Sequence, residues 1–479
     1  MKRTSGVLMH VTSLWGEYGC GAFSEAAREF IDFLSESGFG AWQVLPFGCV
    51  DEYGSPYKSH SSFGGNLFFI DLDALSAKGL LTPDELSLAR QSSPYLCEFE
   101  RLFSERFALL SVAASRVTKK ERAAVEEFVA SSPYLEKFVR FMALREANDN
   151  AEWCDFTTDK IDDDVLFAWK FIQYEFAAEW KEIRKYASDK GIKIIGDLPI
   201  YVSYDSADVY FERENFLLDE ECSPERVAGV PPDDFAEDGQ VWGNPLYDWD
   251  YLAEHDFGFW LDRFKYSLEL FDGVRIDHFR AIEAYFSIPA GEDTAVNGEW
   301  VDGPREALVD KIKEVAGDKL VIAEDLGIIT EGVRALVERG GFATTRVLQF
   351  GFPAAPENVY KPHNYPKNCA AYTGTHDNNT LLGYVWELLP HERRELFDYC
   401  GYSGEDFSIG CEAIIRTVLA SHADLVIFPI QDILGFGRDT RMNTPGKAEA
   451  NWRYRVTHEQ INSVDREKYR RLNSIFGRV

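Results

Sequence analysis

The sequence has no run of about 18 apolar residues and no charged-then-apolar amino terminus, so neither a membrane-spanning helix nor a secretory leader is indicated. It is short of positive charge: 50 Lys and Arg stand against 80 Asp and Glu, a formal net charge of −30. That balance repels phosphate backbones and anionic membrane surfaces, which sets nucleic acid and membranes aside as partners. Eight cysteines are scattered without a C-x-x-C pair or any metal-ligand spacing, so reduced, mostly buried thiols in a cytoplasmic protein are expected. Internal repeats and low-complexity tracts are also missing.

What is present is an ordinary globular composition, 45% apolar and 27% charged. The length, 479 residues, is one that barrel folds with long insertions reach as a single unit. Aromatic residues make up 14% of the chain and include 11 Trp, whose flat faces either stack on sugar rings or fill a core.

Short apolar runs rich in Val and Ile recur at 6–11, 41–46, 192–202, 271–277, 319–325, 344–350, 369–377 and 425–433. Eight buried-type strands are the count for a closed parallel barrel. The amphipathic stretches at 24–37, 165–188 and 305–315 supply the alternating helices of an α/β chain, although periodicity alone also fits a doubly wound open sheet. Two gaps between strands exceed a normal crossover. The first carries the helix starts Thr82-Pro83-Asp84-Glu85 and Ser132-Pro133, and predicts an inserted, mainly helical subdomain within 51–160. The second, 203–262, contains the Pro-, Gly- and Asp-rich "GVPPDDFAEDGQVWGNPLYDW" at 229–249 and reads as a loop-rich insertion with a substrate-binding loop.

In a parallel barrel the carboxyl ends of the strands share one face. There the sequence collects Asp197, then Arg275, Asp277 and His278, then Glu324 and Asp325, then His376 and Asp377. Crowded carboxylates raise one another's pKa, so one can stay protonated while another beside a cation stays ionised. A pair about 5–5.5 Å apart is what retaining glycoside chemistry needs, one carboxylate attacking the anomeric carbon and the other protonating the leaving oxygen. Asp277 and Glu324 suit those roles. Asp-His neighbours are also metal ligands, and barrels host many reactions. Any one of these residues alone is better explained as a helix cap or a satisfied hydrogen bond; five or more at the same end of consecutive strands favour a function.

Several segments resemble the 4-α-glucanotransferases of glycoside hydrolase family 77: "SPYKSHSSFGGN" at 55–66, "GIKIIGDLPIYV" at 191–202, "VRIDHFRAIEAYFSIPA" at 274–290, "IAEDLG" at 322–327, "TGTHDNNT" at 373–380, and "RMNTPG" and "NWRYR" toward the end. The resemblance runs through nearly the whole chain. It implies a (β/α)8 TIM barrel with large inserted subdomains and a retaining mechanism in which Asp277 is the nucleophile, Glu324 the acid/base and Asp377 the transition-state stabiliser. It also implies sugar contacts by Tyr57, Asp233, Trp242, Arg275, His278, Asp325, His376 and Asn443, with Arg275 the ionic partner of Asp277 and Trp242 on a mobile loop over the acceptor side. Trp15, Lys58, Gly64, Ala281 and Arg305 stand where the family usually has proline, glutamine, alanine, glycine and glycine; none of these departures removes a catalytic carboxylate.

The substrates so implied are maltooligosaccharides and starch- or glycogen-type α-glucans, with glucose as an acceptor, and no organic cofactor or metal is needed. A hydrolase of the same clan is the nearest alternative. A metal-dependent barrel enzyme and a catalytically dead glucan-binding protein are more distant ones.

Overall fold

Leu425–Pro429 and Cys369–Tyr372 are buried along their whole length. Strands covered on both faces read as unbroken apolar runs, and here the cover is a ring of helices outside and packed side chains inside. The computed structural model describes residues 2–232, 237–447 and 449–479. Numbered in chain order, its strands are β1 (Thr4–Leu8), β2 (Ala41–Gln43), β3 (Lys193–Leu198), β4 (Arg226–Val230), β5 (Gln240–Pro245), β6 (Gly273–Ile276), β7 (Ala284–Pro289), β8 (Glu299–Asp302), β9 (Leu320–Ala323), β10 (Ala343–Val347), β11 (Cys369–Tyr372) and β12 (Leu425–Pro429).

Eight of them close a parallel barrel in the order β1-β12-β11-β10-β9-β6-β3-β2. Each overlaps one of the apolar runs predicted from the sequence, β1 and β10 beginning slightly earlier, and closure removes the open-sheet alternative. The three predicted amphipathic stretches are helices at Glu25–Glu36, Asp163–Asp189 and Arg305–Ala316.

Between β2 and the long helix Asp163–Asp189 the chain is mainly helical, with helices at Leu72–Ala77, Pro83–Leu88, Phe99–Ser115, Lys119–Ala130 and Pro133–Ala147. Thr82 closes the expected capping box, its side chain accepting from Glu85 N while Glu85 answers at the Thr82 N–H.

The loop reading of 229–249 is corrected. That stretch supplies the end of β4 and all of β5, two members of a four-stranded antiparallel sheet, β5-β4-β7-β8. The register of β4 against β5 shifts between Val227 and Gly229, and β5 carries Gly243 and Asn244 with only its last residue buried. A short, bulged, half-exposed strand has no clean period-2 pattern, so its Pro and Gly dominated the sequence signal.

Candidate active site

Neighbouring parallel strands place Asp197 of β3 level with Arg275 of β6, and Arg275 level with Ile322 of β9. Alternate residues along a barrel strand point the same way, so Arg275 and Asp277 come together at the end of β6. The ladder continues past the strand ends: Asp277 N–H bonds Leu198 O at 2.9 Å and Glu324 N–H bonds Ile276 O at 3.0 Å. This register is why a cation and three carboxylates crowd one mouth of the barrel.

Arg275 is the hub. Its Nη1 donates to both oxygens of Asp197, at 2.8 and 2.7 Å, and its Nη2 lies 2.9 Å from Asp277 Oδ1. Burial works against its charge, but Asp197 and Asp277 outweigh that and keep the guanidinium protonated. Tyr57 closes the network by donating its hydroxyl to Asp197 Oδ2 at 2.8 Å.

Glu324 sits next door with 9% of its surface exposed. Its Oε2 accepts the N–H of His278 at 2.7 Å and its Oε1 that of Leu326 at 3.2 Å. His278 is in the left-handed region, φ 46°, a turn that aims its N–H back at Glu324. Burial, followed by the charge of Asp277, pushes the Glu324 carboxyl up to about 8 against the opposing pull of Arg275. A carboxylic acid that keeps its proton at neutral pH therefore stands beside a carboxylate paired with arginine.

Asp377 follows β11. Burial pushes its carboxyl up, but His376, 3.3 Å from Oδ2, and the amide of Asn443, donating to Oδ1 at 2.6 Å, outweigh it and hold the group down at about 2. The His376 ring stacks on Tyr57 with centroids 5.2 Å apart.

The remaining expected contacts fall into three groups. Trp242 lies in β5, not on a loop, and sets its indole edge-to-face on His278 at 4.8 Å. Among the described residues the buried His278 Nε2 has no hydrogen-bond partner, and burial pushes this imidazole down to about 4, so it is neutral. Asp325 turns toward β10, accepting from Thr345 N–H at 2.7 Å and pairing with Arg346 at 3.2 Å. Asp233 lies outside the described residues.

Sequence reasoning missed Arg441 and Trp452. Arg441 bonds the backbone oxygens of Asp377 and Asn443. Trp452 adopts φ 65°, a strained conformation for a bulky residue, and packs 5.8 Å from Tyr57 and 5.9 Å from His376. Both belong to quoted motifs, "RMNTPG" and "NWRYR", but nothing in their spacing ties them to β11. Two open clefts lie beside this network, one bordered by His10, His376 and Arg441 and one bordered by Tyr57, Asp197 and Tyr201.

Fold and site together define a (β/α)8 barrel protein with one arginine and several carboxylates gathered at the carboxyl-end mouth of the barrel. Residues 9–460 match the 4-alpha-glucanotransferase family, glycoside hydrolase family 77, and the chain belongs to that family. The 4-alpha-glucanotransferase of Clostridium butyricum is 40% identical over 489 residues, covering 98% of this chain and 100% of that protein. That of Thermus thermophilus is 41% identical over 482 residues, 95% of each. Among solved structures, amylomaltase from Streptococcus agalactiae in complex with acarbose matches with a TM-score of 0.95 at 34% identity, covering 100% of both chains. No helix among the described residues is long and apolar enough to cross a membrane.

Proposed function

We propose that the cleft transfers segments of α-1,4-glucan from one chain to the 4-hydroxyl of another, or to glucose, by double displacement. The observation that carries the chemistry is the contrast between Asp277, 2.9 Å from the Arg275 guanidinium, and Glu324, buried and pushed up to about 8. Asp277 attacks the anomeric carbon, its electron pair forming the new C–O bond, while the Glu324 proton passes to the departing glycosidic oxygen. The reducing-end fragment leaves and a β-glucosyl ester remains on Asp277.

Esterification removes the charge of Asp277, one of the causes that raise the Glu324 carboxyl. Glu324 has by then lost its proton and is a better base for the second step, in which it takes the proton of the acceptor hydroxyl as that oxygen displaces Asp277. Two inversions give net retention. Asp377, held ionised, stabilises the oxocarbenium-like transition states, and neutral His278, whose Nε2 has no partner among the described residues, supplies a sugar hydrogen bond. Tyr57, Trp242, His376 and Asn443 shape the sugar site. Asp325 acts in this reading from behind, by fixing the middle of β10.

Transfer demands that a sugar hydroxyl outcompete water at roughly 55 M, which a well-positioned acceptor does, since effective molarities exceed that by orders of magnitude. The helical insertion at 51–160 and the segment 203–262 serve as the subdomains that wall this acceptor path. A cytoplasmic setting belongs to the same reading, because all eight thiols are free and five of them are buried.

The test is incubation with maltotriose alone, following glucose and chain length together. Glucose with a ladder of maltopentaose and longer chains is expected; glucose and maltose without longer products would return the protein to the hydrolases.

A further inference from the structure

The segment that carries His376 and Asp377 leaves the barrel at Thr373 and enters a helix at Leu381–Glu387. Both of its ends are tied to one side chain. Asp432 lies in the short helix Ile430–Leu434 that directly follows β12, the barrel neighbour of β11. Its Oδ2 accepts the hydroxyl of Thr373 at 2.6 Å, and its Oδ1 accepts the N–H of Leu381 at 2.7 Å. Thr373 is fully buried and Asp432 is 4% exposed, so water does not compete for either bond.

Between those anchors the segment is stiffened from within. Asn378 Oδ1 accepts from Thr375 N and Oγ1 at 2.9 and 3.0 Å, and Asp377 N–H bonds Thr375 Oγ1 at 3.3 Å. From outside, Gln349 donates to Asn379 O at 2.8 Å. A buried carboxylate that spans both ends of a loop fixes the separation of those ends, and so the direction in which the residues between them project.

We infer that Asp432 is a positioning residue for Asp377: by clamping Thr373 and Leu381 it sets where the Asp377 carboxylate stands in the transition state, without touching the sugar. The inference rests on the proposed role of Asp377 as transition-state stabiliser.

Such a residue matters to the transition state and little to the bound substrate. Asp432→Ala should lower kcat for maltotriose disproportionation by about tenfold or more with KM within about twofold. Affinity for acarbose, whose flattened unsaturated ring and protonated linking amine mimic the transition state, should fall by a similar factor. Maltotetraose affinity, measured in an Asp277→Asn background, should stay unchanged. Asp432→Asn can accept from Leu381 N–H and donate to Thr373 Oγ1, and should restore most of the lost turnover. Thr373→Val, which removes one anchor and keeps shape, should give a smaller loss of the same pattern; it supplies the answer if Asp432→Ala does not fold.

Unchanged kcat and acarbose affinity in a folded Asp432→Ala or Thr373→Val protein overturns the inference. So does an equal loss of acarbose and maltotetraose affinity, which marks general disorder of the cleft. Asp377→Asn separates the two levels: if it retains turnover, the role assigned to Asp377 fails; if it is inactive while the Asp432 and Thr373 variants are normal, only the clamp fails.

Discussion

Asp277 Oδ1 lies 2.9 Å from Nη2 of Arg275, and the other arm of the same guanidinium is bound by both oxygens of Asp197. The arginine is thus shared between the proposed nucleophile and a fully buried carboxylate. Arg275→Ala should abolish measurable transfer and also destabilise the fold by about 3–5 kcal/mol, because Asp197 is left buried without its cation. Thermal unfolding checks the second effect. Arg275→Ala combined with Asp197→Asn should recover much of the lost stability and none of the turnover.

Asp277→Asn removes the attacking oxygen and little shape. Turnover should fall by about 10³-fold or more while maltodextrin binding, followed by calorimetry, persists. Substantial residual transfer would move the nucleophile to another carboxylate.

The convergence of these groups was legible in the sequence because register does the work: β3, β6 and β9 are adjacent, and polar residues closing three consecutive apolar runs had to meet. Asp277 and Glu324 could be placed side by side from that alone, Asp377 joins them because all strands of a parallel barrel end on one face, and the family resemblance then implied a role for each. What the sequence concealed depends on contacts between distant segments. Asp432 lies 59 positions from Thr373, and Trp452 reaches Tyr57 across almost the whole chain. The antiparallel sheet was hidden for a different reason, since β5 is half-exposed and β4 is bulged, leaving no period to read.

Glu324 makes the pH dependence specific. Its carboxyl is pushed up to about 8, so the protonated acid needed for the first step is lost as pH rises through that value, and kcat/KM should show an alkaline limb near 8. The same shift bears on stability. The folded state holds this proton more tightly than the unfolded state, whose carboxyl titrates near about 4.3. Stability from this group is therefore present below that value and is lost between roughly pH 4 and 8. Glu324→Gln, fixed in a neutral form, should be inactive on maltotriose yet melt a few degrees higher than the parent at pH 8, with the gap closing toward pH 4. An equal melting temperature at both pH values would show that the carboxyl is not raised.

Trp242 reports on transfer against hydrolysis. Its indole packs on His278 at the mouth of the site, where it can exclude water from the glucosyl ester. Trp242→Ala should raise the share of hydrolysis products several-fold at fixed maltotriose, measured as reducing ends formed per glucose released. An unchanged ratio would leave Trp242 as support for His278 only.

Gly64 is fitted to one aromatic neighbour. A Cβ built on it would stand 2.4 to 2.6 Å from three ring atoms of Phe138, which is itself fully buried in the helix Pro133–Ala147. The ring of Phe138 occupies the space an alanine methyl would fill, so the two positions form a matched pair that joins the 55–66 segment to the helix Pro133–Ala147. Overpacking of this kind costs about 1–3 kcal/mol. Gly64→Ala alone should lower stability by that amount, and because Tyr57 lies on the same segment it should also raise KM. Phe138→Leu alone leaves a void and should destabilise as well. The double variant should be more stable than the sum of the two losses allows, a coupling that a double-mutant cycle by denaturant unfolding reads directly. Additive losses would mean that Phe138 moves aside at no cost and that the pair is not matched.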